Sequence, residues 1–496
     1  MDQLIQLIDL LDNQDKQAFK SFLNKKNTRK DAKNMLLFNF LETDDLKSVQ
    51  KLYKKEDSKD AYHALRKRLQ DNLLQFLSQR TFESKGNAGY DILRNIVVGR
   101  FLLENNLPKI GWKCLDKATA RAEEDEQFSF LNECLLLRLQ YAHLEDTIDL
   151  PQLMERFTEN QEQMQREAKL HMAYAFLRRE LQEIHLKGKV VNLSALIEST
   201  MKQFKISMHE IMNYKALYQL LYLANEYAAI NQNYRLIEPY ILKSYRYIQD
   251  ISKTKEAHLY YQLYIIYYLA NYHFRSRQFE ESLAFLQQME ELMQHRKSYQ
   301  DQFFLRHELL LGLNLHFKGE PENAIQVLEA ALQNASNKAS QEDIDDLNIS
   351  LCMCYAQHNQ DTCLRYLAKL GHTDHWYEKK LGMLWTIRKN LMELLIHAQF
   401  DNISLANSRL QSFKRRYKSY LMQIDEERVL DFLYLVEKYF QNPDIVKEPG
   451  FQKRLLQMLD IEANQDIFNL SFLGWLLSRG QKKTPYACCL ELLKKR

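Results

Sequence analysis

The chain has few of the residues that turn or break a polypeptide: its 496 residues include 12 glycines and 7 prolines. These counts are about 2% and 1% of the chain, against typical usages of about 7% and 5%. Runs of alternating β-branched residues bounded by glycine or Asn-Gly turns are also missing, which argues against a β-rich fold. Leu, Gln, Glu, Lys and Ala dominate instead, and all are good helix formers. The composition therefore predicts an all-α protein.

The sequence also lacks the common signatures of catalysis. It has no glycine-rich phosphate loop ending in Gly-Lys-Ser/Thr, no Gly-x-Ser-x-Gly elbow and no His-Glu-x-x-His helix. The best candidate for a metal site is the segment LGHTDHW, where His372, Asp374 and His375 lie close in sequence and Cys363 precedes them. Their spacing fits no recognised structural zinc pattern. We expect a non-enzymatic protein without a metal or cofactor.

Charge and cysteine usage point to a folded cytoplasmic protein. The formal net charge is +3, with a net of +4 in residues 1–85 and −1 in the remainder. Seven cysteines, an odd number at irregular spacings, suit reduced thiols. The N-terminus lacks the basic and continuous apolar regions of a secretory signal.

One uncharged segment, residues 257–274, is long enough to raise the question of a membrane span. His258, Gln262, Asn271 and His273 are dispersed through it, and its tyrosine hydroxyls would need hydrogen-bond partners in hydrocarbon. Apolarity on all sides is also expected of a helix that is buried between two neighbours. We therefore predict a buried helix and no membrane contact.

The clearest structural pattern lies in residues 311–335, LGLNLHFKGEPENAIQVLEAALQNA. Gly312 interrupts a first apolar helix face, and Ala324 and Ala331 interrupt a second, as expected where two helices cross closely. The residues KGE form a turn, and Pro321 takes a first-turn position where its missing N–H is not needed. The segment therefore predicts a helical hairpin.

The small residue of the second helix recurs along the chain. It falls at Ser282, Ala324, Cys363 and Ala406, at intervals of 42, 39 and 43 residues. An earlier unit places Val98, Gly99, Leu102, Gly111, Leu115 and Ala118 in the same register. We infer an array of hairpins.

This pattern resembles the tetratricopeptide repeat, in which leucine and glycine in one helix are followed by a turn and by alanines in the next. The resemblance is clearest at residues 311–331, and the intervals exceed the family's repeat of about 34 residues, which predicts longer helices or loops. It implies a right-handed α-solenoid over residues 90–440. We expect residues 1–85 to form a small N-terminal helical domain, with a boundary at 84–89, and residues 441–496 to form a helical cap.

In tetratricopeptide-repeat proteins the first helices line a concave face, and the resemblance places six side chains there. These are Tyr264, Tyr267, Asn271, Arg275, Arg306 and His316. Such an aromatic face with a few cations suits an extended peptide or a partner helix. In the alternative interpretation the tyrosine rings fill the interior of the array, with their hydroxyls reaching the surface.

A second hypothesis concerns residues 46–77, which have the outline of a helix-turn-helix. Lys59, His63, Arg66 and Lys67 would face outward from the second helix and contact DNA. The segment resembles weakly the DNA-binding region of bacterial regulators that carry helical repeats. The sequence thus predicts a scaffold or adaptor that binds a partner protein or peptide, and the alternative is a DNA-binding transcriptional regulator whose array senses a peptide or protein.

Overall fold

The computed structural model describes residues 3–9, 11, 13–26, 33–43, 59–83, 88–144, 148–187, 193–207, 214–231, 234–250, 258–336, 339–424, 426–459 and 466–494. Every regular element in these ranges is a helix, so the all-α prediction is confirmed for this part of the chain. The chain divides into two compact units, Met1–Glu162 and Gln163–Arg496.

The first unit begins with four helices that share one core. They are α1 (Gln3–Asp9), α2 (Asn13–Lys26), α3 (Lys33–Glu42) and α4 (Lys59–Glu83). The ring of Phe19 lies 5.0 Å from that of Phe38 and 5.3 Å from that of Phe76. These rings join α2, α3 and α4 through edge and tilted aromatic contacts. The segment 1–85, predicted as a small helical domain, thus encloses a core of its own in its described part.

The remaining helices of the first unit build a second core around close helix crossings. They are α5 (Ala88–Glu104), α6 (Pro108–Glu124), α7 (Phe128–Gln140) and the start of α8 (Leu150–Lys187). A Cβ on Gly99 would lie 3.1 Å from Leu115, and one on Gly111 would lie 2.9 Å from Leu103. Both predicted small positions therefore stand where α5 and α6 approach each other. The boundary predicted at 84–89 includes residues 84–87, which lie outside the described ranges, and the observed division falls within α8.

The second unit continues from α8 with a long series of helices. They are α9 (Leu193–Phe204), α10 (Tyr214–Asn231), α11 (Glu238–Asp250), α12 (Leu259–Arg275), α13 (Phe279–Met293), α14 (Lys297–Lys318), α15 (Pro321–Gln333), α16 (Gln341–Gln357), α17 (Thr362–Lys369), α18 (Asp374–Lys380), α19 (Met383–Gln399), α20 (Ile403–Gln423), α21 (Glu427–Gln441), α22 (Pro449–Leu459), α23 (Ile467–Gly480) and α24 (Pro485–Lys494). Helices α12–α13, α14–α15, α16–α17 and α19–α20 pack as hairpins.

The hairpin of α14 and α15 forms as the sequence predicts. Gly319 ends α14 with a φ of 114°, a left-handed conformation that favours glycine, and Pro321 begins α15. A Cβ on Gly312 would stand 2.6 Å from two carbons of Leu328 on α15. The absence of a side chain at Gly312 is therefore what lets the two helices cross at this distance.

The recurring small positions are all buried in second helices. Ser282, Ala324, Cys363 and Ala406 lie in α13, α15, α17 and α20 and are each 0% exposed. The extra helix α18 lies between α17 and α19, and α14 and α20 are 22 and 21 residues long. Long helices and this insertion explain why the intervals exceed those of a minimal two-helix unit.

The C-terminal helices pack across several of these hairpins. The Phe468 ring of α23 lies 6.2 Å from Phe274 on α12 and 6.1 Å from Phe317 on α14. Trp475 Nε1 donates to Gln399 Oε1 on α19 at 2.8 Å. Helix α23 therefore contacts α12, α14 and α19, and the role of residues 441–496 as a cap stays a prediction.

Helix α12, which carries the long uncharged segment, is buried among its neighbours. Leu263 and Ile265 are 0% exposed, and even Tyr264 and Tyr268 are only 8% and 7% exposed. None of the helices in the described ranges combines the length and apolarity that crossing a bilayer requires.

Candidate functional site

A cavity of about 350 Å³ lies within the second unit. Its wall comes from α10, α12, α14, α16 and α19, and α23 closes it. Most of this wall is apolar, with Leu313, Ile349, Met353, Met392 and Phe472 among its side chains. A concave and mostly apolar enclosure with a few polar groups is the usual form of a ligand site.

Two asparagines on successive wall helices form an amide pair. Asn271 Nδ2 on α12 donates to Asn225 Oδ1 on α10 at 2.9 Å, and both residues line the cavity. The other two polar atoms, Asn225 Nδ2 and Asn271 Oδ1, have no hydrogen-bond partner in the described part of the chain. The pair therefore offers one donor and one acceptor, which match the carbonyl oxygen and N–H of one peptide group.

A buried ion pair borders the cavity where α23 begins. Arg275 Nη1 of α12 donates to Asp466 Oδ2 at 2.8 Å, and the Asp466 side chain is 1% exposed. The guanidinium also covers the rings of Phe468 and Tyr234, with centroids 4.3 Å and 4.9 Å away. Burial disfavours both charges, but their mutual attraction opposes it, so the pKa of Arg275 is raised; at Asp466 the charge of Arg388 adds to that of Arg275, and the pKa is lowered.

The second carboxyl of the cavity is Asp346 on α16. Trp385 Nε1 of α19 donates to its Oδ1 at 2.7 Å. Burial raises the pKa of Asp346 from 3.8 to about 7, in spite of this hydrogen bond. Near neutral pH the carboxyl is therefore only partly ionised.

One cation of the cavity has no ionic partner. Arg388 lies one turn after Trp385 on α19, and it forms no ion pair with any carboxylate that the structure describes. Its buried Nε has no hydrogen-bond partner. Burial lowers the pKa of Arg388; Asp466 and Glu426 attract the guanidinium and oppose the shift, while the neighbouring Arg275 adds to it. Asp466 is already paired with Arg275, so the two guanidinium groups and this one carboxylate together carry a net positive charge.

Three of the six residues predicted for a concave face line this cavity. Tyr267, Asn271 and Arg275 follow one face of α12 and contribute to the wall. Burial raises the pKa of Tyr267 to about 12, so its hydroxyl keeps its proton and can donate a hydrogen bond. These three residues therefore lie together, and their role in binding stays a prediction.

The other three predicted residues are not among those that line the cavity and are held by neighbouring residues. Arg306 donates to Asp343 Oδ1 at 2.9 Å and to the Tyr264 hydroxyl at 3.1 Å. His316 is 0% exposed, and its Nε2 lies 2.8 Å from Gln357 Oε1. The six residues thus do not form one site in the structure, because Tyr264, Arg306 and His316 are used in packing between helices.

The residues proposed for DNA contact lie on or near the start of α4. His63 and Lys67 are exposed, whereas Arg66 donates to the Tyr62 hydroxyl at 3.2 Å and lies over its ring. The Lys59 side chain and residues 46–58 are outside the described part of the chain. DNA binding by this helix stays a prediction.

The loop that carries His372, Asp374 and His375, the candidate metal ligands, is organised by aromatic and ionic contacts. His372 stacks on Trp376 with ring centroids 3.9 Å apart, and Asp374 lies 3.5 Å from Lys389. The His375 side chain is 68% exposed. Across the described residues, no group of three or more histidine, cysteine, aspartate or glutamate side chains is arranged to hold a metal ion.

Sequence reasoning missed the wall residues outside α12. Asn225 precedes Asn271 by 46 residues, close to the intervals between repeats, and this recurrence of asparagine was the available signal. Asp346 and Arg388 gave no such signal, because a single charged residue in a helix usually faces solvent.

A scan against protein-family models and searches of curated proteins and of solved structures find no match for this chain.

Proposed function

We propose that this protein is a tetratricopeptide-like helical array that binds an extended peptide segment of a partner protein in this cavity, without catalysing a reaction. The observation that carries the proposal is the Asn225–Asn271 pair on two successive wall helices. Side-chain amides that present one donor and one acceptor recognise a peptide backbone without selecting its side chains. The aromatic and aliphatic wall then supplies contacts for the side chains.

The volume of the cavity favours an extended segment over a helix. About 350 Å³ lies near the lower end of the roughly 300–1,000 Å³ typical of ligand sites. A bound helix needs a cylinder about 10–12 Å wide, which is far larger than this space. A few residues of extended chain fit better, and their exposed backbone groups match the amide pair.

Site-specific photo-crosslinking in the cells that make the protein tests this proposal. A benzoylphenylalanine at Met353, on the cavity wall, should form a covalent adduct with one discrete peptide or protein. The same probe at Leu405, which is 42% exposed and outside the cavity, is the control. The adduct at position 353 should disappear in the Asn225→Ala, Asn271→Ala double variant.

Equal adducts at positions 353 and 405, or an adduct that persists in the double variant, would place partner binding elsewhere. Circular dichroism of the double variant should be unchanged, since neither asparagine supports the backbone of its helix. A loss of helicity would require the Asn225→Ser, Asn271→Ser pair, which retains short polar side chains, to be tested in its place.

A further inference from the structure

The cavity contains three buried polar atoms without partners, and all three are donors. They are Arg275 Nε, Gln357 Nε2 and Arg388 Nε. No buried acceptor atom of the described lining residues is in the same state. Buried donors are almost always satisfied in folded proteins. Water or a bound molecule has to accept from these three donors, and an excess of buried donors over buried acceptors favours an occupant that brings hydrogen-bond acceptors.

The charged side chains around the cavity also leave a net positive charge. Arg275 is neutralised by Asp466, and nearby Glu426 is held by Arg428 at 2.7 Å. Asp466 attracts both Arg275 and Arg388, but its single negative charge is already paired with Arg275, so one positive charge remains on this group of side chains. An isolated charge away from water is costly, and a bound counter-ion removes that cost.

We propose that Arg388 binds the carboxylate of a ligand whose apolar body fills the rest of the cavity. One unpaired guanidinium balances one negative charge, whereas a phosphate group brings nearly two. A guanidinium also matches a carboxylate through two parallel hydrogen bonds. Met353, Met392 and Phe472 supply the apolar surface for the ligand's body.

Two sources provide this chemistry: the C-terminal residue of a peptide, or a free aliphatic or aromatic acid. The first rests on the proposed function and deepens it, because the peptide's last amide group would then lie against the Asn225–Asn271 pair. The second uses the same guanidinium without a peptide. In both cases the carboxylate binds Arg388. The experiment therefore distinguishes a peptide from a free acid by which of the two the protein retains.

The test is affinity selection on the full chain, with mass spectrometry of what it retains. One library holds N-acetylated tripeptides with a free C-terminal carboxylate, and a second holds the same peptides as C-terminal amides. A third arm holds straight-chain acids from hexanoate to dodecanoate. Carboxylate ligands should bind roughly 10- to 100-fold more tightly than their amides, as expected for hydrogen bonds to a charged group.

Arg388→Gln should remove this preference, and Arg415→Gln, on an exposed face of α20 outside the cavity, should leave it intact. Without ligand, Arg388→Gln should keep or raise the melting temperature, since it removes the excess positive charge and leaves the Arg275–Asp466 pair in place. Arg275→Gln should lower it, because Asp466 would lose its partner. A fall for Arg388→Gln as large as that for Arg275→Gln would assign Arg388 a structural role and overturn the inference.

The other outcomes separate this inference from the proposed function. Equal retention of peptide amides and acids, or a preference that survives in Arg388→Gln, would overturn the carboxylate site and leave peptide binding standing. Retention of free acids but of no peptide would support the carboxylate site and contradict peptide binding in this cavity. No retention from any arm would overturn both.

Discussion

Arg275 and Asp466 are 191 residues apart in the chain and form an ion pair of 2.8 Å. Their side chains are 12% and 1% exposed, so both ions are largely desolvated. Asp466 also accepts a hydrogen bond from the backbone N–H of Phe468, at 3.1 Å, and thereby caps α23. One carboxylate therefore fixes α23 both at its N-terminus and against α12, at the rim of the cavity.

The variant Asp466→Asn should destabilise the second unit by about 3 kcal/mol, because it keeps the cap but leaves Arg275 buried without a counter-ion. Chemical denaturation followed by circular dichroism measures the change. The double variant Arg275→Met, Asp466→Asn should recover part of the loss, since no unpaired charge remains. Strictly additive effects would show that the two side chains are not coupled.

The Asp346 carboxyl should make stability depend on pH. Its pKa is raised to about 7 from 3.8, so between about pH 4 and 7 the unfolded chain loses this proton while the folded chain retains it. This group therefore lowers stability as pH rises through that window. At pH 8 the Asp346→Asn variant should be more stable than the natural chain by about 2 kcal/mol. Solvent in the cavity makes this gain smaller than the free energy that corresponds to the whole pKa shift.

Thermal unfolding of Asp346→Asn and the natural chain at pH 5 and pH 8 measures this difference. The gain should shrink at pH 5, and the hydrogen bond from Trp385 should persist, since an amide oxygen also accepts it. Asp301→Asn, on the exposed start of α14, is the matched control and should change neither value. A gain of equal size at both pH values would mean that ionisation of Asp346 is not its source.

Gly312→Ala tests the close crossing of α14 and α15. The new Cβ would stand 2.6 Å from Leu328, and overpacking of this kind costs about 1–3 kcal/mol. Gly450→Ala is the control, because a Cβ there meets no atom within 4 Å, and alanine favours helix. Urea denaturation should show a loss for the first variant and a neutral or slightly positive change for the second.

The hairpins could be predicted from the sequence because their signal is local. Gly312, Gly319 and Pro321 lie within ten residues of one another. Gly312 lets the two helices cross closely, Gly319 adopts a positive φ where α14 ends, and Pro321 begins α15. The same holds for Ser282 and Ala406, whose burial follows from one recurring position. Local patterns of this kind need no knowledge of distant contacts.

The cavity could be predicted only in part because its polar groups meet across long separations. Asn271 was identified from its helix face, but Asp346 and Arg388 reach the cavity only through the packing of α16 and α19. Arg306 satisfied the same positional rule as Asn271, yet it is held by Asp343. Which charged side chain stays unpaired depends on partners that no single stretch of sequence reveals.

His316 should make the protein sensitive to acid. It is 0% exposed, and burial lowers its pKa from 6.5 to about 4, although Gln357 opposes the shift through a hydrogen bond. Between pH 6.5 and 4 the imidazole is protonated in the unfolded chain but stays neutral in the folded chain. Stability therefore falls as the pH is lowered through this window. The expected contribution of His316 is about 3 kcal/mol by pH 4.

Melting temperatures of the natural chain and of His316→Gln, measured from pH 7.5 to pH 4, test this. The substitution lowers stability at pH 7.5, because the contact with the Tyr486 ring, 4.8 Å away, is lost, but its further decline in acid should be smaller. His375→Gln changes an exposed imidazole and should follow the natural chain throughout. The substitution removes the buried imidazole. Parallel curves for His316→Gln and the natural chain would therefore mean that another group causes the loss of stability in acid.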